Sequence, residues 1–243
     1  MNNIGVGIFC FGKDYYFRGT KDKINELKKQ NISVYVLTDN VKSFVSESNV
    51  TIIKYDRHLK SYSDKMKLPK YILKNHDYCI LLDADTHIKD YTIFTDLQSY
   101  KFNKGVTYID TLLNHSAKKQ FVKDLINISH PEWKSYNEYL MKVYPNYIDF
   151  ETMWEYFLVI NKDGFDEESF YYYYEKLQVV KEFSDVELKK EVSGAGEGIS
   201  IQVSCKLANI DVQKDNTLYE LLKDKMISIS KHTPRHLWPK WML

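Results

Sequence analysis

The chain has 243 residues, 44% of them hydrophobic and 28% charged, which is the composition of a soluble globular protein. A net charge of +1 gives no reason to expect bulk nucleic-acid binding, and no apolar run approaches the roughly 18 residues of a membrane-spanning helix. The three cysteines lie in separate apolar runs without metal-ligand spacing, so we expect buried thiols. Because the first residues lack a signal-peptide pattern, we expect a cytoplasmic protein. The composition, rich in Lys, Asn, Ile and Tyr, is typical of an AT-rich bacterial or viral genome, so we expect a bacterial protein, or a virus-encoded one that acts in the host cytoplasm.

The N-terminal half alternates predicted strands with predicted helices. Runs of apolar and β-branched residues predict strands at 4–11, 32–38, 50–54 and 78–82. Helical spacing predicts helices at 17–30 and 63–75, the second kinked or delayed at Pro69. Strands and helices in this order predict a doubly wound α/β architecture.

The C-terminal half is less regular. Its predicted strands are 105–109, 154–160, 210–212 and 226–229. Its predicted helices are 117–128, 132–143, 164–190 and one that runs from a glycine-rich turn at 194–198 to residue 208. Because no repeat or low-complexity linker separates the halves, we expect one domain whose second half completes the cleft formed by the first.

Two acidic residues follow the fourth predicted strand directly. In the sequence CILLDADTHI, an apolar run leads into Asp83 and Asp85. Ligands of open α/β sheets bind outside the carboxyl ends of the strands, where two carboxylates one residue apart can face one cation. Mg²⁺ and Mn²⁺ prefer oxygen ligands and usually share them with substrate phosphates. The spacing predicts a metal-bridged diphosphate site; the alternative is that one acid caps the following turn and the other is solvated.

This segment resembles the D-x-D motif of GT-A fold glycosyltransferases, and it is closest to the glycogenin-like retaining group, whose apolar strand leads into D-A-D-T. VYVLTDN at 34–40 is similar to that group's second strand. The resemblance covers residues 4–109 well and the rest in outline. It implies a mixed central sheet flanked by helices, with a nucleotide-sugar-binding half (1–110), an acceptor-side half (111–230) and a basic C-terminal lid (231–243).

The same resemblance implies an activity and a donor site. The enzyme would be a hexosyl- or pentosyltransferase that uses Mn²⁺ or Mg²⁺ and moves a sugar from a UDP-sugar to an acceptor hydroxyl. Asp85 would be the main metal ligand, and Asp83 would contact the metal or the donor ribose. Asp39 would hydrogen-bond the base or ribose, and Lys67 would face the diphosphate or pair with an acid. Three aromatic residues would lie beside the base, with a tyrosine stacked on it: Phe11, Tyr15 and Tyr16.

The segment 226–243 contains basic residues, histidines and tryptophans but no acid, so it is either a solvated tail or a segment that packs on a ligand. Glycogenin-like enzymes take a third metal ligand from a histidine after the last strand, which implies His232. The spacing in HTPRHLWPKW departs from that group's pattern, so His236 is the alternative. The basic residues would neutralise the leaving UDP: Lys231, Arg235 and Lys240.

Three acids are candidates for the acceptor side of the cleft: Glu197, Asp110 and Glu155. Glu197 opens a predicted helix, where an acid also complements the helix dipole. If the reaction inverts the anomeric centre, Glu197 or Asp110 would be the base; retention needs no strong base. The acceptor is left open between a saccharide or glycan and a hydroxymethylated base in nucleic acid.

Two other functions remain as alternatives. An apolar strand followed by D-x-D also resembles the first motif of haloacid-dehalogenase-type phosphohydrolases, with Asp83 as nucleophile and Asp85 as general acid. That motif normally follows the first strand and carries Thr or Val where this chain has His87. The second alternative is a non-catalytic module that binds nucleotide or carbohydrate.

Overall fold

The structure is a computed structural model that describes residues 1–12, 14–45, 49–55, 62–109, 134–151, 153, 156–187 and 197–228. Several sequence predictions therefore lie outside the described residues. These are the helix at 117–128 and the site candidates Asp110, Glu155, Lys231, His232, Arg235 and Lys240. Glu197 lies at the start of a described helix, but its side chain is not described.

The core of the molecule is a seven-stranded mixed sheet in the order β3-β2-β1-β4-β7-β6-β8. Its strands are β1 (Ile4–Cys10), β2 (Ser33–Thr38), β3 (Val50–Lys54), β4 (Tyr78–Asp83), β6 (Gly105–Tyr108), β7 (Phe157–Asn161) and β8 (Val212–Lys214). Only β7 runs antiparallel to its neighbours in this sheet. A separate two-stranded ribbon pairs β5 (Thr86–Ile88) with β9 (Met226–Ser228). The predicted mixed sheet is confirmed.

Seven α-helices are described: α1 (Asp14–Lys29), α2 (Pro69–Ile72), α3 (Ile93–Ser99), α4 (Lys134–Val143), α5 (Glu167–Glu187), α6 (Glu197–Leu207) and α7 (Asn216–Leu222). Three 3₁₀ helices, Val41–Ser43, Tyr62–Lys67 and Pro145–Asp149, connect them. The helix predicted at 63–75 is a 3₁₀ helix followed by one α-turn that begins at Pro69. Proline is favoured at this first helical position because its missing N–H would have no partner there.

The strand predicted at 210–212 begins two residues later than expected. The end of α6 explains the shift, because Asn209 adopts a left-handed φ of 54° and the amide of Ile210 still donates to Cys205 O at 2.8 Å. This is a helix C-terminal cap, so Ile210 belongs to the helix terminus and β8 starts at Val212.

Side chains alternate between two apolar layers on opposite faces of the sheet. Ile80 and Leu82 of β4 join the cluster that includes α1 and α3, whereas Cys79 and Leu81 join the cluster that includes α2, α5 and α6. All three cysteines are buried free thiols, as predicted. No helix among the described residues is long and apolar enough to cross a membrane.

Two glycines in β1 allow α2 to lie directly on the strand. A Cβ added at Gly7 would lie 2.9 Å from both Ile72 Cδ1 and Leu81 Cδ2, and one at Gly5 would lie 2.6 Å from Ile72 Cγ2. Contacts this short are closer than carbon atoms tolerate. The glycines therefore set the height of α2, and of the 3₁₀ helix that precedes it, above the sheet.

We expect Gly7→Ala to lower the free energy of unfolding by about 1–3 kcal/mol, since the added methyl overpacks the contact with Ile72. Ile72→Val removes the Cδ1 atom that clashes and should cost about 0.5–1.5 kcal/mol alone. Urea unfolding of both single variants and the double variant measures the coupling. The double variant should be more stable than the sum of the two costs predicts; strict additivity would show that this contact does not set the height of α2.

Candidate functional site

The carboxyl ends of β1, β2 and β4 lie at one edge of the sheet, because these strands are parallel. The strand order reverses between β1 and β4, since β2 lies on one side of β1 and β4 on the other. Such a switch point opens a crevice between the loops that follow the two strands. The loop after β4 is the turn that contains Asp83 and Asp85.

The D-x-D turn connects the central sheet to the small ribbon. β4 ends at Asp83 and β5 starts at Thr86, so the turn itself consists of Ala84 and Asp85. The amide of Asp83 donates to Tyr156 O at 3.3 Å, and β5 then leaves the sheet to pair Thr86 with Ser228 of β9. The two acids are therefore held between two separately paired segments of backbone.

Asp83 is ion-paired to a buried lysine. Alternation along β4 places Asp83 on the same face as Cys79 and Leu81, the face covered by the 3₁₀ helix Tyr62–Lys67. Lys65 Nζ from that helix donates to Asp83 Oδ1 at 2.9 Å. The Lys65 side chain is 3% exposed and that of Asp83 is 32% exposed. Asp83 is thus held by Lys65 on one face of the sheet, and part of its carboxylate stays exposed to a ligand in the crevice.

The opposite face of the turn is supported by a second buried lysine. Lys23 of α1 donates from Nζ to Ala84 O at 2.8 Å, across the apolar layer to which Ala84 belongs. Burial lowers the pKa of Lys23 to about 8, and the charge of nearby Asp85 acts in the opposite direction.

Asp85 is half-buried between these two lysines. Burial, followed by the charge of Asp83, raises the pKa of Asp85 above its usual 3.8. The nearby lysine charges, from Lys23 and Lys65, act in the opposite direction. A cation on the exposed side of this carboxylate would stabilise its ionised form and lower its pKa again.

The side chains present fit a hard divalent cation. Asp83 and Asp85 supply carboxylate oxygens, and Mg²⁺ or Mn²⁺ commonly takes one or two such ligands together with water and phosphate oxygens. Within the described ranges, no group of three or more His, Cys, Asp or Glu side chains is placed to hold a metal. The structure therefore offers an open site with two carboxylates and not a closed protein cage.

The residues predicted for the nucleotide lie along the same edge. Phe11 follows β1, with its ring centroid 4.6 Å from that of Phe9, and Asp39 is exposed directly after β2. Tyr15 and Tyr16 are half-buried in the first turns of α1, with ring centroids 4.3 Å apart.

Lys67 pairs with an acid, which is one of its two predicted alternatives. Its Nζ lies 2.9 Å from Asp64 Oδ1, 2.9 Å from the Tyr55 hydroxyl and 4.3 Å from the centroid of the Tyr55 ring. Lys65, two residues earlier, is the lysine that reaches the D-x-D turn.

No family model matches the chain, and no curated protein matches it. Among solved structures, it is similar to the apo form of the bifunctional glycosyltransferase WbbM, with a TM-score of 0.50, 15% identity and coverage of 95% of this chain. The chain spans about half, 46%, of the length of the WbbM chain. Two further matches are apo GlyE, a glycosyltransferase of Streptococcus pneumoniae, and a Drosophila β1,4-galactosyltransferase 7 complex with manganese, UDP-Gal and xylobiose. The GlyE match has a TM-score of 0.46 and 12% identity, and it covers 100% of this chain and 61% of the GlyE chain. The galactosyltransferase match has a TM-score of 0.43 and 9% identity, and it covers 95% of this chain and 73% of the galactosyltransferase chain.

The chain has the GT-A fold. The mixed sheet predicted from the resemblance is therefore confirmed as a fold of glycosyltransferases. A structural similarity at 15% identity shows the fold alone.

The carboxyl end of β8 carries an ion pair that sequence analysis missed. Glu151 Oε1 lies 2.5 Å from Lys214 Nζ at the end of β8, and each side chain is 21% exposed. Gln202 of α6 donates from Nε2 to Glu151 O at 3.0 Å. Gln202 belongs to the same helix as Glu197, one of the three acids predicted for the acceptor side.

The two buried lysines are the main residues that sequence analysis missed. Lys65 lies among other lysines in a segment whose pattern does not distinguish a buried side chain from a solvated one, and its side chain is buried. Lys23 carried a usable signal. It falls on the same face of α1 as Thr20 and Leu27, which are both buried.

The ion pair between Lys65 and Asp83 should couple more strongly than an exposed pair of similar length. A double-mutant cycle with Lys65→Met and Asp83→Asn is expected to give about 1–3 kcal/mol by urea unfolding, because the lysine is desolvated. Lys104 and Asp163, 3.0 Å apart with side chains 69% and 68% exposed, form the control. Their cycle should give less than about 1 kcal/mol. Equal values would mean that burial of Lys65 adds nothing to the pair.

Proposed function

We propose that the chain is a metal-dependent glycosyltransferase that moves a sugar from a UDP-sugar to an acceptor hydroxyl with retention of configuration. The observation that carries this proposal is the D-x-D turn. It presents Asp83 and Asp85 at the switch point of a GT-A sheet, with a buried lysine bonded on each side.

Asp85 is the principal metal ligand in this proposal, and Asp83 contacts the metal or the ribose of the donor. Mn²⁺ or Mg²⁺ at this position would neutralise the diphosphate of the donor as its bond to the sugar breaks. Lys65 holds one oxygen of Asp83, which orients the exposed part of the carboxylate toward the metal or a ribose hydroxyl. Asp85, with its raised pKa, stays ionised when the cation is present.

The nucleotide would lie across the carboxyl ends of β1 and β2. Phe11, Tyr15 and Tyr16 provide aromatic surface for the base, and one of the tyrosines stacks on it. Asp39 is exposed at the end of β2 and can accept hydrogen bonds from base or ribose. Lys67 is paired with Asp64, so we assign it to the wall of the base site and not to the diphosphate.

The pairing of β5 with β9 supports a role for the basic segment 231–243. Ser228 pairs with Thr86, next to Asp85, and His232 follows four residues later. Four residues of extended chain span at most roughly 14 Å, which is the upper limit on the distance from Ser228 to His232. In the proposed enzyme His232 is the third protein ligand of the metal, and His236 is the alternative. Lys231, Arg235 and Lys240 bind the diphosphate and stabilise UDP as it leaves.

The acceptor would enter between α6 and the ends of β6 and β8. Glu197, Asp110 and Glu155 are proposed to orient its hydroxyl, next to the half-buried pair of Glu151 and Lys214. With retention, the chain positions the acceptor and excludes water, and the departing phosphate can take the proton. With inversion, Glu197 or Asp110 would accept it. We favour a saccharide or glycan acceptor over a hydroxymethylated base in nucleic acid, since the net charge is only +1.

The GT-A fold favours this function over the two alternatives. A phosphohydrolase of the haloacid-dehalogenase type would use Asp83 as a nucleophile at the end of its first strand, whereas here Asp83 ends the fourth strand of the chain. A non-catalytic module would bind nucleotide or sugar without turnover. Both alternatives are separated from the proposed function by one assay of donor breakdown.

UDP release from a panel of UDP-sugars, with and without Mn²⁺, tests the proposed function. The unaltered protein should slowly hydrolyse one donor in the presence of Mn²⁺, and Asp85→Ala should reduce that rate at least about 100-fold because the main metal ligand is lost. Asp77→Ala removes an exposed acid at the opposite end of β4 and is the matched control. Phosphate release from a simple phosphomonoester, with no UDP released, would instead favour the phosphohydrolase. Nucleotide binding without turnover, even with acceptors added, would favour the module.

The histidine assignment has its own test. His232→Ala should weaken Mn²⁺ binding in the presence of UDP by about 10- to 100-fold, whereas His236→Ala should leave it within about 2-fold. Electron paramagnetic resonance of free Mn²⁺ measures both affinities. The opposite ranking would exchange the two roles, and no change in either variant would remove the segment from the metal site.

A further inference from the structure

Lys23 is buried to a degree that lysine rarely reaches. Its relative exposure is 1%, although burying an ammonium group is costly unless strong interactions offset the cost. It occupies an inward position of α1, where an apolar residue would pack against the sheet without this cost. The presence of a charged group at this place therefore points to a specific interaction.

That interaction is with the D-x-D turn. Lys23 Nζ donates to Ala84 O at 2.8 Å, and more weakly to Gly19 O of its own helix at 3.4 Å. Ala84 is the residue between the two acids, and it is 8% exposed. Its carbonyl therefore has little access to solvent, and Lys23 supplies a donor from the face of the sheet that α1 covers.

We propose that Lys23 is a positioning residue that fixes the peptide between Ala84 and Asp85, so that the Asp85 carboxylate faces the crevice. This inference rests on the proposed function for its catalytic consequence, while the positioning itself follows from the contact. The carbonyl of Ala84 and the amide of Asp85 belong to one rigid peptide plane. Anchoring that carbonyl therefore sets the direction in which the Asp85 side chain leaves the turn.

The two lysines have complementary tasks. Lys65 holds the Asp83 side chain from one face of the sheet, and Lys23 holds the Ala84 backbone from the other. Without the Lys23 donor, the buried Ala84 carbonyl would be unsatisfied, and rotation of the peptide toward another donor would become favourable. A displacement of about 1 Å in a catalytic group is enough to reduce turnover about 100-fold.

Lys23→Met keeps the apolar stem and removes the donor, and Lys21→Met, at an exposed position of the same helix, is the matched control. Hydrogen exchange of substrate-free, metal-free protein should show the amides of β5 exchanging at least about 10-fold faster in Lys23→Met, with β1 and β2 unchanged. Mn²⁺ affinity in the presence of UDP should fall about 10- to 100-fold. At saturating Mn²⁺, kcat should fall while KM for the sugar nucleotide changes less than about 3-fold. Lys21→Met should match the unaltered protein throughout.

Lys23→Gln retains an N–H donor without the charge and serves as the second variant. Partial recovery of slow exchange and of Mn²⁺ affinity in Lys23→Gln would support positioning by the hydrogen bond. Unchanged exchange at the turn in Lys23→Met, or loss of the whole fold in both variants, would overturn the proposal. Because exchange is measured without metal or donor, it decides the role of Lys23 even if the protein releases no UDP from any sugar.

Discussion

The D-x-D turn depends on one constraint: Asp85 is half-buried next to a second carboxylate, at the end of a strand that is otherwise buried. Burial raises the pKa of Asp85, and the neighbouring charge of Asp83 adds to that effect. The protein answers with an ammonium group from each face of the sheet. Both lysines are themselves desolvated, so their charges are weakly screened and act strongly over short distances. α1 and the 3₁₀ helix Tyr62–Lys67 are the elements that carry these two lysines.

Much of the first half was predictable because its signals are local. The apolar strands, the proline-broken segment after residue 61 and the acids after β4 can each be read from a few neighbouring residues. Their meeting at one edge then follows from parallel pairing. The C-terminal half gave shifted boundaries, as at Ile210, where a helix cap and a strand compete for the same apolar residue. Short strands give periodicity too little length to decide such cases.

The partners of the two acids were not predictable from local pattern. Lys65 and Lys67 are nearly indistinguishable in sequence, yet one is buried beneath Asp83 and the other lies against Tyr55 and Asp64. Their difference arises from the tight 3₁₀ geometry and from how closely α2 approaches the glycines of β1. The height of α2 above the sheet depends on tertiary packing, because the two glycines have no side chain to hold the helix further away. Lys23 was easier to predict from the sequence, because it lies on the apolar face of α1 and a buried lysine needs a hydrogen-bond partner.

The ribbon formed by β5 and β9 has a consequence for how the protein is made. β5 follows the D-x-D turn directly, but its partner is synthesised after every strand of the large sheet. Closing so long a loop is entropically slow compared with forming the local contacts of the first half. A growing chain can therefore assemble β1 to β4 on the ribosome while the backbone beyond Asp85 has no β-partner. The ribbon forms last, so a nascent chain would have the first four strands of the sheet before β5 has a partner.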